Sequence, residues 1–362
     1  MKTWRIGTGT LSIGFIGIGI LLLLNYSEVI SNNFFQYVGP IYIILFGIEV
    51  IWSYIRNRDQ QRQKFSAWSI IILVAIFISS STHMVFPSNF NWQPRLLSAV
   101  EGKVPLENGI THVVIRIPQG KVEVTGIAGQ EITYTGELLT NGSSQEEADQ
   151  ALKTDWKIQK NGDTLELVLE QKGPKWNLIS IFDWTQKKAF LTVQIPRSLL
   201  TNIETKNGTV QVSDMNGDSE VKTSNGAITM INVKGNVKAE TSNGSGTFTD
   251  ITGSLDMHTN NGELTLKNIS GSVTAEASNG SINGSSIING NWEVTTSNGR
   301  ITLAIPKDAN AEIEAKTSNG SVGGDLEWQS GEKTHRTSKI GSGSNQITLE
   351  SSNGSIDVDY LN

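Results

Sequence analysis

Asn-Gly recurs at Asn207, Asn225, Asn243, Asn261, Asn279, Asn298, Asn319 and Asn353, at intervals of 18, 18, 18, 18, 19, 21 and 34 residues. A second series, Gly217, Gly235, Gly253, Gly271 and Gly290, falls nine or ten residues after the preceding Asn-Gly glycine. Each unit therefore holds two short strands and two turns. A unit this small cannot bury an apolar face alone, so a fixed period of this length predicts coils stacked into a solenoid.

Alternation within the units sets the phase. Val237, Ala239 and Thr241 lead to Asn243, and Leu255, Met257 and Thr259 lead to Asn261. After those corners come Phe248 and Ile251, then Leu264, Leu266 and Ile269. Period-two alternation marks half-buried strands. The Asn shares the apolar phase, which predicts that the eight Asn point inward. Stacked one coil apart, at about 4.8 Å, they would bond one another as a ladder. Gly is then expected to supply a positive φ at the bend. Asn-Gly also favours two-residue hairpins, but a meander of hairpins needs neither the fixed spacing nor the shared phase. The expected fold is mainly β, a single-chain β-solenoid of two-strand coils with about 18 residues each.

The template reaches upstream to Val113, Ile115 and Ile117, with Gln119-Gly120 in the Asn-Gly place. Between there and Leu191, Gln145 to Lys153 reads as a short helix and Trp156 to Leu169 as a hairpin turning at Asn161-Gly162. The solenoid is thus assigned to 105–362, with insertions near 140–190 and 323–346. The final coil runs through Ile347, Leu349, Asn353, Ile356 and Val358.

Residues 1–87 have a different composition. Ile6–Leu24, Val38–Ile55 and Ser66–Phe86 are long apolar stretches, read as three transmembrane α-helices. Lys2 and Arg5 precede the first, and Arg56, Arg58, Arg62 and Lys64 follow the second. The loop between those two has no Lys or Arg. Positive charge marks the cytoplasmic side. The expectation is a multi-pass protein of the cytoplasmic membrane, with 88–104 as an extracytoplasmic linker and the solenoid outside. Glu49 has two readings, a side chain reaching the interface or a polar contact between helices.

Two resemblances follow from these residues. FLTVQIPRSLLTNIETKNGTVQV (190–212) and the recurring TSNG resemble the DUF4097 adhesin-like family, whose members include LiaG-like proteins. That resemblance covers most of 105–362 and implies an extracytoplasmic β-solenoid. WRIGTGTLSIGFIGIGILLLL (4–24) and VGPIYIILFGIEVIWSYIRNR (38–58) resemble LiaI/LiaF-like membrane modules of envelope-stress accessory proteins.

Signs of catalysis are scarce. Net charge is −6, which gives no basic field for nucleic acid. Cys is absent, so thiolate metal sites and disulfides are excluded. His83, His112, His258 and His335 stand outside any metalloprotease motif, and there is no phosphate or dinucleotide loop. No metal, cofactor or catalytic residue is expected. Glu220, Lys238 and Asp256 fall in one outward column, and Lys222, Glu240, His258 and Glu276 in the next. Alternating signs read as charge ladders; a glycosidase needs two carboxyls facing one groove.

Two further groups are candidates for interaction. Thr229, Thr247, Thr265 and Thr302 form a column on the other strand, read either as strand propensity or as a flat polar face for a glycan or partner. Trp176, Ile179, Ile181, Phe182 and Trp184 lie between lysines and either cover the solenoid or dock on anionic membrane lipid or a partner. The expected function is a non-enzymatic, membrane-anchored cell-envelope accessory protein. It would sense or scaffold at the outer face of the membrane, in envelope-stress signalling through a sensor kinase or another envelope protein. The alternatives are a surface adhesin or module binding cell-wall glycan, and a carbohydrate-active solenoid enzyme.

Overall fold

The computed structural model describes residues 16–17, 44–51, 95–107, 109–170 and 188–361. Two units divide the chain, Met1–Trp92 and Gln93–Asn362. In the first, residues 16–17 and 44–51 are helical.

The expected multi-pass membrane protein is corrected here. Among the described residues no helix is long and apolar enough to cross a membrane. Hydropathy measures how apolar a stretch is, whereas a span also requires about 20 residues in one unbroken helix. The plasma-membrane placement, and the extracytoplasmic side assigned from it, go with the spans. Most of Ile6–Leu24, Val38–Ile55 and Ser66–Phe86, on which the expectation rested, lies outside the described residues. Residues 88–104 are not simply a linker either, because a strand begins at Arg95.

The second unit is mainly β. It opens with β1 (Arg95–Pro105), β2 (His112–Gln119), β3 (Lys121–Ile127) and β4 (Glu131–Asn141). Helix α1 (Gln145–Asp155) and the hairpin β5 (Trp156–Asn161) and β6 (Thr164–Leu169) follow. The Ser144 hydroxyl caps α1 by accepting from the Glu147 N–H at 3.3 Å, and the Glu147 carboxylate accepts from the Ser143 N–H at 2.8 Å. Ala148 and Leu152 are its buried side.

Regular coils begin at β7 (Phe190–Pro196). They continue through β8 (Leu200–Asn207), β9 (Val210–Met215), β10 (Ser219–Asn225), β11 (Ile228–Val233), β12 (Val237–Asn243) and β13 (Gly246–Ile251). Next come β14 (Leu255–Asn261), β15 (Leu264–Ile269), β16 (Val273–Asn279), β17 (Ile282–Ser285), β18 (Trp292–Asn298) and β19 (Ile301–Ile305). The last strands are β20 (Ala311–Asn319), β21 (Val322–Gly323), β22 (Ser330–Glu332), β23 (His335–Ile340), β24 (Asn345–Asn353) and β25 (Ile356–Tyr360).

Strands that lead into an Asn-Gly corner stack in one long sheet, flanked by the hairpins β22–β23 and β5–β6, in the order β22-β23-β20-β24-β18-β16-β14-β12-β10-β8-β2-β6-β5. Strands that leave the corner stack in the other, β1-β4-β7-β3-β9-β11-β13-β15-β17-β19-β25-β21. These are the leading and trailing sheets. Neighbouring coils pair in parallel with the 18-residue offset, as in Val221↔Ala239↔Met257 and Met230↔Phe248↔Leu266. All six side chains are buried, and they form the core between the sheets. Bulk is balanced against glycine. A Cβ on Gly246 would lie 2.8 Å from the Phe248 ring, so that Gly makes room for the Phe.

Space order departs from sequence order at both ends. Coil β2–β3 lies between β6–β7 and β8–β9. Coil β24–β25, the last in the sequence, lies between β18–β19 and β20–β21. The hairpin β22–β23 covers β20 at that end.

At the Asn-Gly corner the structure differs from the expected phase. Thr223, Thr241, Thr259, Thr296 and Thr317 point inward, and the Asn two residues later is exposed in every coil. The backbone turns between them, which ends the period-two alternation. The Thr hydroxyl bonds to the Gly carbonyl of the adjoining coil: Thr241 to Gly226 at 3.1 Å, and Thr259 to Gly244 at 3.1 Å. The corner glycines Gly226, Gly244 and Gly262 have no positive φ. They are needed for close approach instead, since a Cβ on Gly262 would stand 2.0 Å from the Gly244 oxygen. Positive φ appears at the opposite corner, at Asp214, Asn232, Asp250 and Asn268, between 53° and 60°. Asn and Asp tolerate this region better than other side chains do.

Candidate functional site

The outer face of the trailing sheet brings together the predicted Thr column. Thr229 pairs with Thr247 and Thr247 with Thr265; Asn283 follows, then Thr302. Gln211 extends the column by one coil. The next outward column is Ser213, Ile231, Thr249, Lys267, Ser285 and Ala304, so Lys267 is the one charge within these stretches. Glu123 beside Gln211 and Asp357 beside Thr302 continue the first column, and Asn283 donates to the Glu263 carboxylate at 2.5 Å. Thr229, Thr247, Thr265 and Thr302 are half-buried. Their hydroxyls bond to no other group among the described residues.

The outer face of the leading sheet is charged. Its columns run Glu220↔Lys238↔Asp256 and Lys222↔Glu240↔His258↔Glu276. Basic side chains sit beside carboxylates. Lys222 lies 2.9 Å from Glu220, Arg116 lies 3.5 Å from Glu204 and 3.7 Å from Glu166, and His258 lies 3.1 Å from Glu276. The hydrogen bond and charge of Glu220, followed by the charges of Glu240 and Glu204, push the Lys222 ammonium above its ordinary range. Where this face meets the turn before each strand, an open groove of about 560 Å³ runs past Asn236, Ser254, Glu220, Lys238 and Asp256. Among the described residues no three His, Asp or Glu side chains are placed to hold a metal ion.

The eight Asn side chains form one continuous column along the corner. Asn225 donates to Asn207 at 2.8 Å, Asn243 to Asn225 at 2.9 Å, Asn261 to Asn243 at 2.8 Å and Asn279 to Asn261 at 3.0 Å. Asn298 donates to Asn279 at 2.9 Å, Asn353 to Asn298 at 2.8 Å and Asn319 to Asn353 at 2.9 Å. Two side-chain pairs at the opposite corner do not follow from the alternation in the sequence. Asn232 donates to Asp214 at 2.6 Å, and Asn268 to Asp250 at 2.9 Å. Their signal was available, because an Asp or Asn stands three residues before Gly217, Gly235, Gly253 and Gly271. Trp176, Ile179, Ile181, Phe182 and Trp184 lie outside the described residues, so the proposed aromatic site has no structural account.

The family model described as Toastrack DUF4097 matches residues 114–359, more than half of the 362 residues. The chain belongs to the Toastrack DUF4097 family. The matched stretch takes in every coil of the Toastrack solenoid from β2 to β25. Among solved structures, a "putative adhesin" from Bacteroides fragilis NCTC 9343 is 12% identical, covering 73% of this chain and 97% of its own, with a TM-score of 0.43. A "putative cell adhesion protein" from Clostridium sporogenes ATCC 15579 is 13% identical, covering 73% and 100%, with a TM-score of 0.27. No curated protein matches this sequence.

Proposed function

We propose that this Toastrack protein is a non-catalytic binding module of the cell surface or envelope, taking a wall glycan on the neutral face of its trailing sheet. The in-register column Thr229, Thr247, Thr265, Asn283 and Thr302 carries the reading. Hydroxyls and an amide about 4.8 Å apart can exchange hydrogen bonds with the hydroxyls of an extended sugar polymer. Between Thr229 and Thr302 the two columns carry one charge, Lys267, with the Glu263 carboxylate bonded to Asn283 beside them, and desolvating charge is the costly part of covering a polar face. Family membership supports the surface or envelope setting. The pairing of Glu220 with Lys222 and of Glu204 with Arg116 supports the non-catalytic part, since a general acid needs a carboxyl kept protonated. Sensing or scaffolding in envelope stress is the finer form of the same proposal, with glycan occupancy passed on to a kinase or another envelope protein.

The test is co-sedimentation of the full-length protein with purified cell-wall polysaccharide. Thr247→Lys and Thr265→Lys should abolish retention at an unchanged melting temperature, while Glu240→Lys on the opposite face should leave it intact. Retention that ignores both Thr variants, or none with the unaltered protein, refutes the reading.

A further inference from the structure

The Asn-Gly corners also carry covalent chemistry. A glycine amide nitrogen that loses its proton to water can attack Cγ of the preceding Asn, because Gly places no Cβ in the way. The new N–Cγ bond closes a succinimide, the Cγ–Nδ2 bond of the carboxamide breaks, and ammonia leaves with the proton. Water then opens the ring at either carbonyl, giving Asp or isoaspartate. Two conditions are required: a free glycine N–H and a carboxamide able to rotate toward it.

At the interior corners neither condition is met. Gly226 donates its N–H to the Asn243 carbonyl at 3.2 Å, Gly244 to Asn261 at 2.9 Å, Gly262 to Asn279 at 3.1 Å and Gly280 to Asn298 at 3.1 Å. The carboxamides of Asn243, Asn261 and Asn279 are each held from both sides, donating to one neighbour and accepting from the next. These Asn are exposed, so hydrogen bonding and not burial is what guards them. Asn353, one step from the end, meets only the first condition. The Gly354 N–H has no partner among the described residues, but the Asn353 carboxamide donates to Asn298 and accepts from Asn319.

Asn319 is the spatial end of the ladder. It donates to Asn353 at 2.9 Å, but no further Asn donates to it. The Gly320 N–H bonds to nothing among the described residues, and the Asn319 side chain is exposed. We propose that Asn319-Gly320 is the ladder's site of spontaneous succinimide formation, and that the stacked corners protect the interior Asn-Gly peptides. The product carboxylate cannot donate to Asn353, so the modification releases the end coil from the ladder.

The experiment incubates the full-length protein at mildly alkaline pH and maps isoaspartate and mass gain by peptide mass spectrometry. Asn319 should convert at least about tenfold faster than Asn243, Asn261 and Asn279, the factor that one net hydrogen bond supplies. In urea the four sites should converge, because each then has the same Asn-Gly chemistry. Asn319→Gln should remove the dominant signal among the ladder Asn without raising conversion at the interior sites. Equal rates in the folded protein, or faster conversion at an interior Asn, would overturn the proposal.

Discussion

Asn353 donates its side-chain amide to Asn298 at 2.8 Å, across 55 residues of sequence. Asn319, which follows Asn298 in the sequence, reaches the ladder only through Asn353, at 2.9 Å. The last coil is therefore an inserted one. Its strands β24 and β25 fill the space between two coils made earlier in the sequence.

This makes the C-terminal coil part of the core. Ile347, Leu349, Ile356 and Val358 are all buried. Leu349→Ala should cost about 2–5 kcal/mol, measured by urea unfolding. A protein ended after Ser344 should lose cooperative melting, since β18 and β20 would lose their shared neighbour. Unchanged melting of the shortened protein would show that the outer coils close up without it.

The inward Thr column should be sensitive to loss of its hydroxyl. Thr241 bonds to the Gly226 carbonyl at 3.1 Å. Thr241→Val keeps the shape and leaves that carbonyl without the hydroxyl, at a cost of about 1–3 kcal/mol. On the outer face, Thr247→Val should stay within about 0.5 kcal/mol. Equal effects in a chemical denaturation series would place the two hydroxyls in equivalent environments.

Corner glycines should tolerate no side chain. A Cβ on Gly262 would meet the Gly244 oxygen at 2.0 Å, and backbone cannot rotate away as a side-chain tip can. Gly262→Ala should cost about 1–3 kcal/mol or more. Gly129→Ala, whose Cβ would meet nothing nearer than Ile127 Cδ1 at 3.6 Å, should be near neutral. The two melting temperatures decide it.

Acid should loosen the β5–β6 hairpin first. A hydrogen bond from the Lys160 ammonium, 2.7 Å away, and then its charge lower the Glu107 carboxyl. The Thr111 hydroxyl, at 3.0 Å, is the largest cause lowering Asp163. A lowered folded pKa means that the stabilisation is present above the unfolded value and is lost as pH falls through the folded one. Amide protection factors in β5 and β6, taken relative to the intrinsic exchange rate at each pH, should therefore fall below pH about 4, and Asp163→Asn should flatten that dependence. Protection factors that stay constant down to pH about 3 would show that these contacts do not hold the hairpin.

Most of the solenoid was legible in the sequence itself. Recurring Asn-Gly set the coil length, and alternation set Val237, Ala239, Leu255 and Met257 facing inward, because both are properties of residues close in sequence. The outward columns followed, since an 18-residue offset puts Glu240 beside Lys222 whatever the rest does. Three matters were decided only by tertiary structure. The Asn side chains stand outside the corner, because stacked Gly backbones bring the coils too close for the strand to keep its phase through the bend. The corner glycines answer to a carbonyl one coil away, a contact between residues far apart in sequence. The order of the end coils depends on which free sheet edge a strand finds, and parallel edges of equal length accept either neighbour, so Asn353 sits beside Asn298 with nothing in the local sequence to announce it.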